Sequence, residues 1–408
     1  MSQNARPQPG PLQGIRVVEF THMVMGPIVG YVLACLGAEV IRVEPMGGDP
    51  TRFLLGSGAG YFPVHNRGKR SLCVDLKRAE GVEIARQLIA SADILIENFR
   101  PGALDRLGLG YEALQASNPR LIYASEKGFL PGPYDQRTAL DEVVQMMSGL
   151  AYMTGPPGRP LRAGAAVVDI SGGLFGVIGI LAALLARQSA DREAGLEKGQ
   201  NTGRGQKIDV GLFETSAFLV SQHMAQLGVT GSAAQPMPAR IAAWSIYEIF
   251  QTRDDPIFLG IVTDSLWRTF CEIFELSDFA ADPRLAQNQD RVDARNRILP
   301  RIEALFRPMR RAEIIARLEG TGVPFAPINR PEDMVDDPHL LASGSLQSVR
   351  VGAGREAILP LLPMVLDGVR VRTSPDLPAP GADKRAILLE LGMSPDEIAQ
   401  LVTNGTIG

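Results

Sequence analysis

The stretch Gly14-Ile-Arg-Val-Val-Glu-Phe20 reads as a buried strand. Pro27 follows at a position suited to the first turn of a helix, because its fixed φ and missing N–H cost nothing there. Ile28 to Leu36 carry a helical pattern, and Gly37 ends it as a residue that tolerates positive φ. Glu39-Val-Ile-Arg-Val43, closed by Glu44, is a second strand. A strand, a helix and a strand in this order form a crossover unit, the seed of a parallel α/β sheet.

The same alternation continues outward. Ser71 to Leu76, Asp93 to Ile96 and Arg120 to Ser125 read as further strands, with a helical pattern over Gly81 to Ala92. Glu97-Asn-Phe-Arg-Pro-Gly102 is a turn, and Asp141 to Leu150 a helix. Glu44 stands where a ribose-binding acid would in a dinucleotide fold. The first turn, Thr21-His-Met-Val-Met-Gly-Pro27, lacks the glycine fingerprint, so nothing in it supports pyrophosphate binding. Ser189 to Thr202 is polar and unpatterned, an exposed connection, and Gly231 to Pro238 is a second break. Residues 1–230 therefore form a large α/β domain, and 235–320 a small α+β domain. Trp244 to Ile261 alternates around Asp254-Asp255 as an antiparallel hairpin does. Residues 321–408 are expected to return to the large domain.

The chain has 408 residues, 45% hydrophobic and 21% charged, with a net charge of −4. That describes an ordinary globular protein and argues against a general nucleic-acid binder. Cys35, Cys73 and Cys271 are too few and too scattered for a disulfide framework or a zinc site, and a reducing cytoplasm fits. The first ten residues lack the apolar core of a signal peptide. Ile170 to Ala186 carries no charge, but its many Gly and Ala residues fit a buried core helix better than a membrane span. No membrane association and no metal are expected.

A second stretch carries chemistry: Arg162-Ala-Gly-Ala-Ala-Val-Val-Asp169-Ile-Ser171-Gly-Gly173. Ser171 is a good N-cap for a helix over Leu174 to Arg187, which places Asp169 at a helix mouth. The partial positive charge there favours an ionised carboxylate, and an approachable carboxylate is a competent nucleophile. The same pattern also suits an acid that merely caps a helix.

Collinear motifs along about 330 residues resemble the class III CoA-transferases, the family of formyl-CoA transferase, carnitine CoA-transferase and α-methylacyl-CoA racemase. They are Leu12 to Phe20 ahead of Gly26-Pro27, Leu36 to Pro45, Asn66 to Leu72, Glu97 to Gly102, the Asp169 stretch, Thr202 to Val210, and Gly322 to Asn329. The resemblance implies an open parallel, Rossmann-like large domain built from both ends of the chain, a small domain, and two chains interlocked as rings. It implies a homodimer, with a heteromer of paralogues as the other arrangement. It also implies coenzyme A and acyl-CoA as substrates, with small carboxylic acids as partners and no permanently bound cofactor.

By the same resemblance Asp169 is the covalent nucleophile and Asp141 the acid that hydrogen-bonds near it. Lys69, Arg70, Arg100 and Arg106 sit in loops that line the CoA nucleotide, where guanidinium forks and ammonium charges suit phosphate oxygens. The alternative for each is ordinary surface charge, and for Asp141 a helix cap. Asp169 would attack a thioester to give a mixed anhydride and then an aspartyl-CoA thioester, with backbone donors worth about 3–4 kcal/mol each to the developing oxyanion. Succinyl-CoA is the donor by family habit.

The chain departs from the pattern in three places. Val24 stands where formyl-CoA transferase has an active-site glutamine, and the glycine-rich loop of that enzyme has no counterpart near Arg240 to Ser245. Val24, Met23 and Met25 form an apolar wall suited to an acid bulkier than formate. Leu140 stands where the racemase branch has a histidine, so two-base proton exchange lacks a partner. A transferase, a racemase and a CoA-binding subunit of a heteromeric transferase are the readings left.

Overall fold

The structure, a computed structural model, describes residues 10–193, 203–239, 243–351 and 354–408. The chain divides into one unit that runs to Pro238 and resumes over Pro338–Gly408, and a second over Ala239–Asp337. The first unit opens with β1 (Arg16–Phe20), α1 (Met25–Cys35), β2 (Glu39–Glu44), α2 (Tyr61–His65), β3 (Arg70–Cys73) and α3 (Ala79–Ala90). It continues through β4 (Ile94–Glu97), α4 (Tyr111–Ser117), β5 (Ile122–Lys127), α5 (Asp141–Ser148), α6 (Leu150–Thr154), α7 (Val167–Glu193), β6 (Lys207–Gly211), α8 (Leu212–Leu219) and α9 (Ser221–Thr230).

The six strands form one parallel sheet in the order β3-β2-β1-β4-β5-β6, with Val17 in register with both Val40 and Ile94. The inner strands carry apolar runs, Val17-Val18 in β1 and Ile94-Leu95-Ile96 in β4, because both faces of the sheet are covered there. On one face α1 and α7 pack Val29, Leu33, Val177 and Ile180 against Val17, Val40, Ile94 and Ile122. On the other, Ile84 and Leu88 of α3 and Ile387, Leu388 and Ile398 of the C-terminal helices cover Val18, Ile41, Leu72 and Leu95. The strand order reverses at β1, so a crevice opens beyond the carboxyl ends of β1 and β4, where α/β sheets bind ligands.

Helix α7 lies against α1 at glycine positions. A Cβ on Gly172 would strike the Met25 side chain, and one on Gly173 would strike Ile28 and the Met25 carbonyl. These glycines admit α1, not a ligand. Val167–Glu193 is also long and apolar enough to cross a membrane, with only part of that length buried inside the protein.

Three boundaries differ from the sequence reading. Helix α1 starts at Met25, so Pro27 is its third residue. Helix α7 starts at Val167, which puts Ser171 inside the helix, with no N-cap role. It runs to Glu193, so residues 189–193 of the expected connection are helical; residues 194–202 of that connection lie outside the described residues.

The chain's end is tied into the sheet unit. Gly408 N–H donates to the Cys73 carbonyl at 3.1 Å, Asp75 N–H to Thr406 at 2.9 Å, and Ser71 N–H to the Asp383 carboxylate at 2.8 Å. In the second unit, β7 (Ile246–Phe250) and β8 (Ile257–Ile261) pair antiparallel, and β9 (Phe325–Pro327) pairs antiparallel with β8. Helix α10 (Asp264–Ile273) and the helices Arg295–Phe306 and Arg311–Leu318 close a core around Trp267, Phe270 and Phe306. Residues 321–337 therefore belong with this unit, not with the returning segment, because Phe325–Pro327 supplies its third strand.

Candidate active site

Asp141 is the first residue of α5 and is buried. It does not cap its own helix. Its Oδ2 accepts from the backbone N–H of Val168 at 2.9 Å and of Asp169 at 3.1 Å, two of the unpaired donors at the start of α7. Gln145, one turn further along α5, donates to the other oxygen, Oδ1. Its own Oε1 accepts from Ala163 N–H at 2.8 Å. The Asp141–Gln145 pair thus fixes the loop from Ala163 to Val168 and the first turn of α7. An anion at a helix N-terminus is favourable, so this cap is electrostatically sound.

Asp169 sits in that first turn, half-buried. Burial and then the neighbouring Asp141 and Glu142 carboxylates push its carboxyl up to about 7, against a smaller opposing effect of Arg162. The expectation of a carboxylate kept ionised by the helix start is corrected: near neutral pH the group is poised between its two forms. Asp169 borders a cavity of about 210 Å³ together with Met23, Met25, Glu126, Leu140 and Asp141. Asp169, Asp141 and Met25 line this one cavity. Val24 is not part of this wall; it is buried at the start of α1 and faces a different cavity.

A larger cavity of about 650 Å³ lies over the carboxyl ends of β1, β2 and β3. Its walls are mostly apolar, with Phe20, Val43, Met46, Leu54 and Phe99, and it shares His22 and Met23 with the Asp169 cavity. Asn98 fixes the turn between them: it accepts from His22 N–H and donates to His22 O, both at 2.9 Å. The His22 ring stacks on Phe99 at 5.9 Å, and burial holds its pKa below the usual histidine range. Met23 takes φ 61°, left-handed backbone that a side chain of this kind adopts at a cost of order 1 kcal/mol.

The basic residues are placed differently from the expectation. Lys69 is buried and points inward. Its ammonium donates to Glu19 Oε1 at 2.7 Å, Pro27 O at 2.8 Å and Asn66 Oδ1 at 3.1 Å. Burial lowers its pKa to about 8 against the pull of Glu19. Glu19 also takes Arg42 at 2.8 Å, and Arg42 reaches Asp49 at 2.6 Å. Lys69 is thus part of an internal ion network under the crevice and cannot reach a phosphate.

Arg70 pairs with Glu39 and with Glu390, joining β3 to β2 and to the C-terminal helix Lys384–Glu390. Glu44, the acid that resembled a ribose ligand, is held by Arg52 at 2.6 Å and by Ser71 Oγ at 2.7 Å. Arg100 and Arg106 are exposed and border none of the cavities described.

Two residues at the site escaped sequence reasoning. Lys77, just past β3, borders the larger cavity and is the one Lys or Arg among its described lining residues. Glu126, at the end of β5, is buried in the wall of the Asp169 cavity. Neither of its oxygens has a partner among the described residues. Burial, reinforced by Glu97, holds its carboxyl well above the usual carboxylate range. For Glu126 the available signal was a strand running into the crevice.

The family model described as CoA-transferase family III matches residues 12–384. An acyl-CoA transferase of Fusarium pseudograminearum is 34% identical, covering 99% of this chain and 90% of the relative. A succinate–glutarate CoA-transferase of Agrobacterium fabrum is 35% identical over 93% of this chain and 96% of its own length. The crystal structure of a CAIB/BAIF family protein from Brucella suis superposes with a TM-score of 0.81 at 32% identity, covering 94% of this chain and all of that one. The chain belongs to CoA-transferase family III and is an enzyme of that class.

Proposed function

We propose that the enzyme moves CoA from an acyl-CoA, with succinyl-CoA as donor, to a carboxylic acid acceptor through covalent intermediates on Asp169. The observation that carries this reading is the Asp169 carboxyl, which borders a cavity and is poised near neutrality, on a helix turn whose backbone N–H groups Asp141 accepts from. Ionised Asp169 attacks the thioester carbonyl; the C–S bond breaks and CoA leaves as thiolate. The thiolate then attacks the Asp169 carbonyl of the mixed anhydride, releasing the first acid and leaving an aspartyl-CoA thioester. The acceptor carboxylate attacks that thioester and again expels CoA thiolate. The thiolate finally takes the acceptor's acyl carbon, and Asp169 returns as a carboxylate. Splitting the exchange this way conserves the thioester without ATP.

The larger cavity suits the nucleotide end of CoA, with Lys77 for a phosphate; the His22–Met23 turn marks the passage toward Asp169. Met25, Ala139, Leu140 and Leu212 give the reacting cavity apolar walls, which suits an acyl group larger than formyl. An exposed apolar row along α7, Leu174, Phe175, Ile178 and Leu185, with Phe218 of α8 edge-on to Phe175 at 5.4 Å, supports an interlocked homodimer that covers it. A test of the reaction is to quench the enzyme with hydroxylamine after mixing with succinyl-CoA. Asp169 should be recovered as a hydroxamate; an unmodified Asp169 in enzyme that transfers CoA contradicts the reading.

One observation favours a second reading. Glu126, its carboxyl held well above the usual range, and Asp169 share a cavity, two proton-handling groups where Leu140 offers none. Exchange at the carbon beside the thioester would follow from that pair, and α-deuteration in D₂O distinguishes it.

A further inference from the structure

A third cavity, about 470 Å³, adjoins the Asp169 cavity: Tyr61 and Ala166 border both. Its own walls carry Ser57, His65 and Arg162, with Val24 and Ile170 as apolar sides. His65 ends α2 and is 6% exposed. Its Nδ1 is buried and has no hydrogen-bond partner among the described residues. Burial, with the Lys69 and Arg67 charges beside it, lowers its pKa to about 3, so the ring is neutral and sits in a positive potential. Arg162 extends from the loop before α7; its Nε donates to Ala163 O at 3.0 Å and its Nη1 to Glu142.

We propose that this third cavity reads the far carboxylate of a dicarboxylic acyl chain, with the Arg162 guanidinium and the unpartnered His65 Nδ1 as its donors, while the reacting carboxyl lies at Asp169. The assignment rests on the covalent transfer reading above. A guanidinium fork matches a carboxylate, and a neutral imidazole in its Nδ1–H form donates one more hydrogen bond. The Tyr61 and Ser57 hydroxyls supply further donors at the wall. Val24 then has a role at this cavity: it and Ile170 line the path of the chain's methylenes. A buried donor left without an acceptor is unfavourable, so an acid lacking the second carboxylate binds at a disadvantage.

The experiment compares glutarate with pentanoate, of equal chain length, as acceptors from one acyl-CoA, in the full-length enzyme and in the variants Ser57→Glu and Arg162→Gln. The readout is the ratio of kcat/KM for the two acids. Ser57 is exposed, so its replacement by Glu tests the cavity without disturbing the core. The proposal expects glutarate to be favoured by at least about 10-fold, as for a site built to hydrogen-bond its ligand. It expects that ratio to fall by about 10-fold or more in both variants, through KM for glutarate. A ratio near one in the unaltered enzyme, as for a cavity that holds only water, overturns the proposal. So does a ratio unmoved by both variants. The adduct on Asp169, followed by intact mass in the same samples, separates the two claims. Adduct with an unmoved ratio removes this cavity's role alone; no adduct removes the transfer reading and this one with it.

Discussion

The Asp141 carboxylate accepts a hydrogen bond from the backbone N–H of Asp169 at 3.1 Å, so one acid fixes the position of another. The same closeness makes Asp141 a charged neighbour that resists ionisation of Asp169. Asp141 therefore bears on both the position and the proton affinity of Asp169, the latter beside the larger effect of burial. That coupling can be split, because an amide at position 141 can still accept from the backbone but carries no charge.

The variant Asp141→Asn should retain fold and activity at high pH. With the charge gone, Asp169 ionises more easily. The acid limb of the pH–rate profile, near 7 in the unaltered enzyme, should move toward lower pH by about one unit. Asp141→Ala should instead lose the cap and about 1–2 kcal/mol of stability. An acid limb that stays in place in Asp141→Asn removes the electrostatic half of the argument.

Stability should carry the same signature. Asp169 titrates near 3.8 in an unfolded chain and near 7 in the folded one. Between those values the folded state holds a proton that the unfolded state has lost, so this group's contribution to stability falls as pH rises and is flat above about 7. Asp169→Asn removes the penalty. Denaturant melts should show it no more stable than the unaltered protein at pH 4 and more stable at pH 8, by about 1–3 kcal/mol. An equal difference at both pH values would contradict the raised pKa.

Lys69 and Lys77 should separate cleanly. Lys69→Met leaves Glu19 with one fewer partner in a buried network and should cost about 3–5 kcal/mol of stability. Lys77→Ala should leave thermal unfolding almost unchanged and weaken CoA binding about 10-fold, since an exposed phosphate contact is lost. Calorimetry of unfolding and of CoA binding on both variants checks the pair; the reverse pattern would restore Lys69 as a phosphate ligand.

Racemisation makes a distinct demand. If the chemistry is transfer alone, a chiral 2-methylacyl-CoA in D₂O should exchange its CoA with an added acid and keep both its α-hydrogen and its configuration. Rapid α-deuteration with inversion and no transfer would assign Glu126 and Asp169 as a base pair on opposite faces.

Much of the architecture was legible because doubly covered strands are continuous apolar runs, as in Val17-Val18 and Val40-Ile41. Asp169 was legible through its collinear motifs. What failed were local readings of residues whose partners lie far away in the sequence. Ser171 looked like a cap because local rules see only the residue before a helix; the cap is Asp141, from another helix. Lys69 looked like a loop cation because nothing near it in sequence reveals Glu19 beneath it. Glu126 drew no reading because the strand seen in the sequence ended at Ser125; the strand runs on to Lys127 and carries Glu126 into the crevice wall. Burial of a charged residue is decided by the packed fold, which no local pattern encodes.

The central claim is that oxygen passes through the Asp169 carboxyl. The most direct measurement is a single turnover with an acceptor acid whose carboxylate carries oxygen-18, followed by mass mapping of the Asp169 peptide. In the covalent route the acceptor leaves one of its oxygens on Asp169 when CoA takes the acyl group, so the peptide should gain the mass of one exchanged oxygen. Label found only in the departing donor acid, with Asp169 unlabelled, would mean that the two acids meet directly and would contradict the account.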